Sequence, residues 1–165
     1  MPGGLGSKIE FPSLEGGTLA HSFARVTIHV VFSTKGRRNL IPQTKLQEVF
    51  NYIIGIARNK KVPLLAVGGM PNHIHLLLGL PWNMTYPEVI SKIKANSSRF
   101  IRRTNRDFAW QEGYGAFAVS MSQVDTVVQY IRNQGEHHKR RSFEEEFMLM
   151  LKKAKIEFDP ATIFE

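Results

Sequence analysis

The chain has 165 residues, 42% of them hydrophobic, and no composition break in the middle, which suits one domain with a sizeable core and excludes a disordered tail. It has no cysteine, so disulfide scaffolds, thiolate zinc sites and cysteine nucleophiles are excluded, and any metal chemistry must use His, carboxylate or amide ligands. Lys and Arg number 22 against 14 Asp and Glu, a formal charge of +8 and a pI near 9.9, a balance that favours a polyanionic partner such as nucleic acid or an acidic membrane surface.

No apolar run approaches the roughly 20 residues that span a bilayer, and the first residues lack the apolar core of a signal peptide, so a cytoplasmic protein with no membrane partner is expected. Residues 1–20 are Gly-rich and aperiodic and read as a flexible leader or tag; residues 21–165 read as a single domain. In "FARVTIHVVFST", Val26, Ile28, Val30 and Phe32 alternate with Thr27, His29, Val31 and Ser33, which predicts a first strand. The basic turn "KGRRN" follows. Leu46, Val49, Phe50, Ile53 and Ala57 then fall three and four apart, predicting an amphipathic helix from after Pro42 to about Lys60.

"VPLLAVGGM" and "HIHLLLGL" predict two further strands, joined through Met70, Pro71 and Asn72 as an antiparallel hairpin. Pro87 opens a second helix to about Thr104. "WQEGY" leads into a fourth strand, "GAFAVS". A third helix is expected from about Gln123 to His137, with Val124, Val127, Val128 and Ile131 buried, and a charged helix from Ser142 to Lys155. This order predicts an α+β fold, the ferredoxin-like split βαβ arrangement: a four-stranded antiparallel sheet, helices on one face, plus C-terminal helices. The other sheet face is expected to be open.

Side chains two apart on a strand share a face, so His73 and His75 point together while Ile74, Leu76 and Leu78 point into the core. Two imidazoles on one strand can share a metal ion, or can be ordinary histidines hydrogen-bonded near the sheet. The third helix supplies candidates to complete a site. Tyr130 and Gln134 lie four apart on one helical face, offering a phenolic nucleophile and an amide oxygen ligand. A phenol has a pKa near 10, so a divalent ion that also polarises the electrophile would be needed. His138 shares the Tyr130 and Gln134 face and could touch a metal or a phosphate; equally, His137 and His138 could be exposed histidines at a helix end. His29 projects from the same side as the His73–His75 pair is expected to occupy.

The blocks "HVVFSTKGRR", "GGMPNHIHLLL", "SSRFI", "WQEGYGAFAVS" and "YIRNQGEHHKRRSFEEEF" occur in an order that resembles the single-tyrosine HUH transposases of small prokaryotic insertion sequences and the related REP-associated tyrosine transposases. The resemblance covers about His21 to Phe158. It implies a nucleophile at Tyr130, metal ligands at His73, His75 and Gln134, and Mg²⁺ or Mn²⁺ as cofactor. It further implies cleavage and rejoining of single-stranded DNA with hairpin ends through a 5′-phosphotyrosine, a homodimer, and no nucleotide cofactor. Three basic groups become candidate DNA contacts: Lys35, Arg37 and Arg38 on the first turn; Lys92, Arg99, Arg102, Arg103 and Arg106 along the second helix; and Lys139, Arg140 and Arg141 after the third. Rival readings are an inactive relative that binds hairpin DNA or RNA, an RNA-binding module on the same sheet, and a metal-dependent hydrolase of small phosphates.

Overall fold

Seven alternating residues, TIHVVFS, form β1 (Thr27–Ser33) at the centre of the computed structural model, which describes residues 24–165. The proposed leader lies outside the described residues. After a basic turn the chain enters α1 (Leu46–Asn59), prefaced by a single 3₁₀ turn over Gln43–Lys45. The hairpin of β2 (Leu64–Met70) and β3 (His73–Gly79) closes through Pro71 and Asn72 alone. Next comes α2 (Tyr86–Ile101), whose N-terminus carries a reciprocal cap: the Thr85 hydroxyl accepts from the Glu88 backbone N–H, and the Thr85 N–H donates to the Glu88 carboxylate. β4 (Gly115–Ala118), α3 (Val124–Arg132), α4 (Gln134–His137) and α5 (Phe143–Lys153) complete the order.

The sheet order is β2-β3-β1-β4 with every neighbouring pair antiparallel, the α+β split βαβ topology expected from the order of elements. In the β1–β3 register, Val31 faces His75 and Ser33 faces His73, so His29, Val31, His73, His75 and Leu77 share one side. On the opposite side Ile28, Val30, Phe32, Ile74, Leu76 and Leu78 meet Val49 and Ile53 of α1 and Ile90 and Ile93 of α2 in the main core. Full burial of each such side chain contributes about 1.5–3 kcal/mol.

The histidine side is not open. Val124, Val128 and Ile131 of α3 pack on Leu65, Ala66 and Leu77 to form a second core, and all seven residues of β1 and all seven of β3 are buried. The reason is apolar area: α3 carries a stripe of its own that only this face can remove from water. β3 reads as "HIHLLLG" with Leu77 on the histidine side, as a strand covered on both faces should.

Two helix ends differ from the sequence expectation. The helix expected to run unbroken to His137 breaks at Asn133 (φ −97°, ψ 24°), so Gln134 starts a separate turn, α4; Asn and the nearby Gly135 are weak helix formers. α2 stops at Ile101, because Arg102 turns its Nε to donate to the Phe108 carbonyl and folds the chain back. Arg103 and Arg106 therefore lie past the helix, and the single basic face expected along it does not extend to them.

Candidate active site

Five elements converge on the buried side of β3. His73 and His75 are fully buried, Gln134 is 1% exposed and Glu146, from α5, is 3% exposed. The His73 Nδ1–H donates to Asn72 Oδ1 at 2.7 Å, and the Asn72 amide in turn donates to the Arg37 carbonyl, which fixes the direction of the Asn72 side chain. Burial, with His75 nearby, pushes His73 down to about 3, so the ring is neutral near pH 7 and its Nε2 carries a lone pair. That Nε2 lies 3.0 Å from Gln134 Oε1. Two acceptors so placed call either for a cation or for the amide turned end for end.

His75 meets His29 on one side and Glu146 on the other. Its Nδ1 shares a 2.9 Å hydrogen bond with His29 Nε2, and its Nε2 comes within 2.6 Å of Glu146 Oε1. The angles of this second contact leave both of those buried atoms without a hydrogen-bond partner. Burial pushes His29 down to about 3 as well, with His75 adding to the effect. Burial alone would raise the Glu146 carboxyl, but the close imidazoles of His138 and His75 more than offset this and hold it below the usual carboxylate range. The ligand atoms of His73, His75 and Glu146 lie within 4.8 Å of one another. A neutral imidazole with its far nitrogen already held, a carboxylate oxygen without a donor and an amide oxygen facing a lone pair form a donor set that fits a divalent cation.

Tyr130 borders this cluster. It is half-buried at the end of α3, its ring edge-on to His75 at 5.9 Å and to His29 at 6.2 Å, and stacked on His137 at 4.6 Å. Burial raises the phenol above its ordinary value, and the Glu146 carboxylate adds to this, while Gln134 and Arg141 act in the opposite direction. A positive charge is thus needed before this oxygen becomes a nucleophile.

The structure therefore brings together four of the sequence-predicted site residues, Tyr130, His73, His75 and Gln134, in one chain. It also resolves the two histidines after the third helix. His138 belongs to the cluster, with Nε2 at 3.1 Å from Gln134 Oε1 and 2.6 Å from Glu146 Oε2. His137 is exposed and stacks on the Tyr130 ring. Glu146 was not singled out from sequence. Its signal is positional: it falls with Phe143 and Leu151 on the buried side of α5, where a carboxylate is out of place without partners.

The basic residues divide. Arg140 and Arg141 line a cleft of about 510 Å³ together with Asn72 and His138, which themselves touch the site, and Lys35 is exposed nearby in sequence to Arg37. Arg37 is instead engaged: its Nε pairs with Glu144 at 2.9 Å and a terminal nitrogen donates to the Phe164 carbonyl. Arg38 leans toward the Lys35 carbonyl, Arg103 lies over the Phe100 ring, and Lys139 pairs with Glu136. Lys92 and Arg99 are exposed on α2, in the layer across the sheet from the histidines, and Arg102 closes the turn after it. Arg106 is exposed in the same turn.

A split βαβ sheet that carries two histidines on its central strand, with a tyrosine and a glutamine from the following helices turned onto them, defines a class of metal-capable, tyrosine-bearing domains. Residues 22–134 match the family model described as "Transposase IS200 like", and the chain belongs to that family. It is 28% identical over 131 residues to the transposase for insertion sequence element IS200 of Salmonella typhimurium and, equally, to that of Salmonella typhi, covering 74% of this chain and 85% of each relative. A Deinococcus radiodurans R1 protein assigned as a transposase shares the fold at a TM-score of 0.57 and 22% identity, over 72% of this chain and 98% of that one. A REP-associated tyrosine transposase bound to a REP hairpin does so at 0.56 and 18% identity, over 74% of each chain. Among the described residues no helix is long and apolar enough to cross a membrane.

Proposed function

We propose that this member of the IS200-like family cuts and rejoins single-stranded DNA through Tyr130. The observation that carries the reading is the approach of the Tyr130 ring to His75, beside a buried donor set of His73, His75 and Gln134 that fits a divalent cation. The Tyr130 oxygen bonds to the phosphorus of a scissile phosphodiester and its proton is released. The phosphorus–oxygen bond on the 3′ side breaks, leaving a 3′ oxygen that takes up a proton to become a 3′-OH and a 5′-phosphate esterified to Tyr130. Attack by a 3′-OH reverses the step, so rejoining requires no nucleotide. His73, His75 and Gln134 would hold Mg²⁺ or Mn²⁺, which polarises the phosphoryl group and offsets the charge on the tyrosine oxygen. Asn72 and His29 keep the two imidazoles oriented, as the outer partners of ligating histidines do.

Hairpin DNA as the substrate is supported by the structural neighbour bound to a REP hairpin and by the cleft that Arg140 and Arg141 line beside the site. Contacts from these residues, Lys35, Lys92, Arg99 and Arg106 would go to phosphates and position the strand without reading sequence. A homodimer belongs to the same reading and rests on the family resemblance.

The test is to mix the protein with single-stranded DNA carrying a hairpin, add Mn²⁺ and look for a denaturant-resistant protein–DNA adduct. The adduct should form with the native chain and vanish in both Tyr130→Phe and His73→Ala. Tight hairpin binding with no adduct would replace this reading with a DNA-binding one.

A further inference from the structure

We propose that Glu146 is a carboxylate ligand of the same metal centre, so that α5 closes the site as part of it. The inference rests on the metal-binding reading above and adds a residue that lies beyond the matched family region, which ends at residue 134.

Three observations carry it. Glu146 is 3% exposed within the buried stripe of α5, and a buried carboxylate is costly unless charge or hydrogen bonds compensate it. Its ion-pair contacts are with imidazoles, His138 Nε2 at 2.6 Å from Oε2 and His75 Nε2 at 2.6 Å from Oε1, and the Tyr130 phenol lies beside the carboxylate. No Lys or Arg side chain forms an ion pair with it among the described residues. Second, Glu146 Oε1 and His75 Nε2 are both buried and both lack a hydrogen-bond partner although they lie 2.6 Å apart, so a nitrogen and an oxygen suited to ligation stand side by side. Third, the ligand atoms of His73, His75 and Glu146 lie within 4.8 Å of one another, a two-histidine, one-carboxylate set that suits divalent first-row metals and leaves positions for substrate oxygens.

The local fold is built to bring Glu146 there. Ser142 caps α5 reciprocally with Glu145, which sets the helix start and hence the rotation of residue 146. Phe143 stacks on His73 at 4.7 Å. On the next turn Phe147 sits where a side chain on Gly115 of β4 would collide with its ring at 2.7 Å. Two aromatic anchors thus flank the carboxylate and press the helix onto β3 and β4.

The experiment uses the full chain stripped of metal and no DNA. Mn²⁺ is titrated by calorimetry and by the electron paramagnetic resonance signal of free Mn²⁺, for the native protein and for Glu146→Gln, which keeps the size and removes the charge. The expected result is a tenfold or greater loss of affinity in the variant. In parallel, amide hydrogen exchange across residues 143–153 of the native chain should slow on adding Mn²⁺, a readout that needs no variant. Equal affinity in a folded Glu146→Gln chain, or exchange in α5 that ignores the metal, would overturn the role of Glu146 while leaving a metal on His73 and His75 in place. A native chain that takes up no Mn²⁺ would overturn both readings together.

Discussion

Gly68 of β2 lies directly beneath the carbonyl oxygen of Ile131 on α3: a Cβ at that position would fall inside contact distance of the oxygen and 3.0 Å from the carbonyl carbon. Ile131 is fully buried, and Tyr130 is its neighbour in the chain. The missing side chain of Gly68 therefore sets how closely the tyrosine helix approaches the strand that pairs with β3. Gly68 sits opposite His75 in that pairing.

Gly68→Ala should accordingly lift α3 from the sheet. Overpacking of this kind costs about 1–3 kcal/mol. Urea unfolding would show the loss as a lower midpoint, and the yield of DNA adduct should fall further than the lost stability explains, because Tyr130 moves with Ile131. An alanine variant of native stability and activity would mean that the helix approach is looser than the backbone contact indicates.

The pH dependence of stability follows from the buried rings. His29 and His73 are both pushed from 6.5 to about 3 in the folded chain, so between those values the unfolded chain binds protons that the folded chain refuses. Stability of the metal-free protein should be flat above pH 6.5 and fall progressively as the pH drops from 6.5 toward 3. By pH 4.5 the fall should be on the order of a few kcal/mol. Glu146, held below its ordinary value, adds to the loss once the pH passes below 4.5. Urea midpoints measured from pH 8 to pH 4.5 check this, and His29→Gln should flatten the slope. A midpoint that stays constant down to pH 4.5 would contradict it.

Tyr130→Phe separates chemistry from structure. The ring keeps its stack on His137 and its edge contacts with His29 and His75, so unfolding stability should change by less than about 1 kcal/mol. Mn²⁺ affinity should stay within about twofold of native, since the phenol is not among the donors, while the adduct disappears. An adduct that persists would move the nucleophile elsewhere.

The arginines should separate by salt dependence. Replacing Arg140 and Arg141, which line the cleft beside the site, should weaken hairpin binding and reduce the slope of log K against log salt by about one per lost phosphate contact. Arg102→Ala should leave that slope unchanged and lower the unfolding midpoint instead, because its Nε holds the Phe108 carbonyl. Identical slopes for all three would refute the division.

Much of the architecture was legible because strands and helices write their periods into the chain: the alternation in β1, the three- and four-residue spacing in α1 and the short hairpin connection between β2 and β3 each follow from local geometry. The pairing of His73 with His75 on one face, and of Tyr130 with Gln134 one turn apart, came from the same periods. What a period cannot report is which layer covers a face. The histidine face was expected to be open, and α3 and α5 close it, because burying their apolar residues against it removes that area from water. Asn133 interrupts the third helix, so Gln134 reaches His73 from a separate turn.

By itself, then, the sequence determined the order and type of the elements, the side on which the two histidines lie and the residues that mark the family, since each depends on neighbours within a few positions. Only the tertiary structure decided that Glu146, 71 residues beyond His75, completes the cluster, that His138 joins it while His137 stays outside, and that Arg37 and Arg102 are tied into the fold. Those outcomes depend on the rotation and seating of whole helices against the sheet, which are set by packing among residues far apart in the chain.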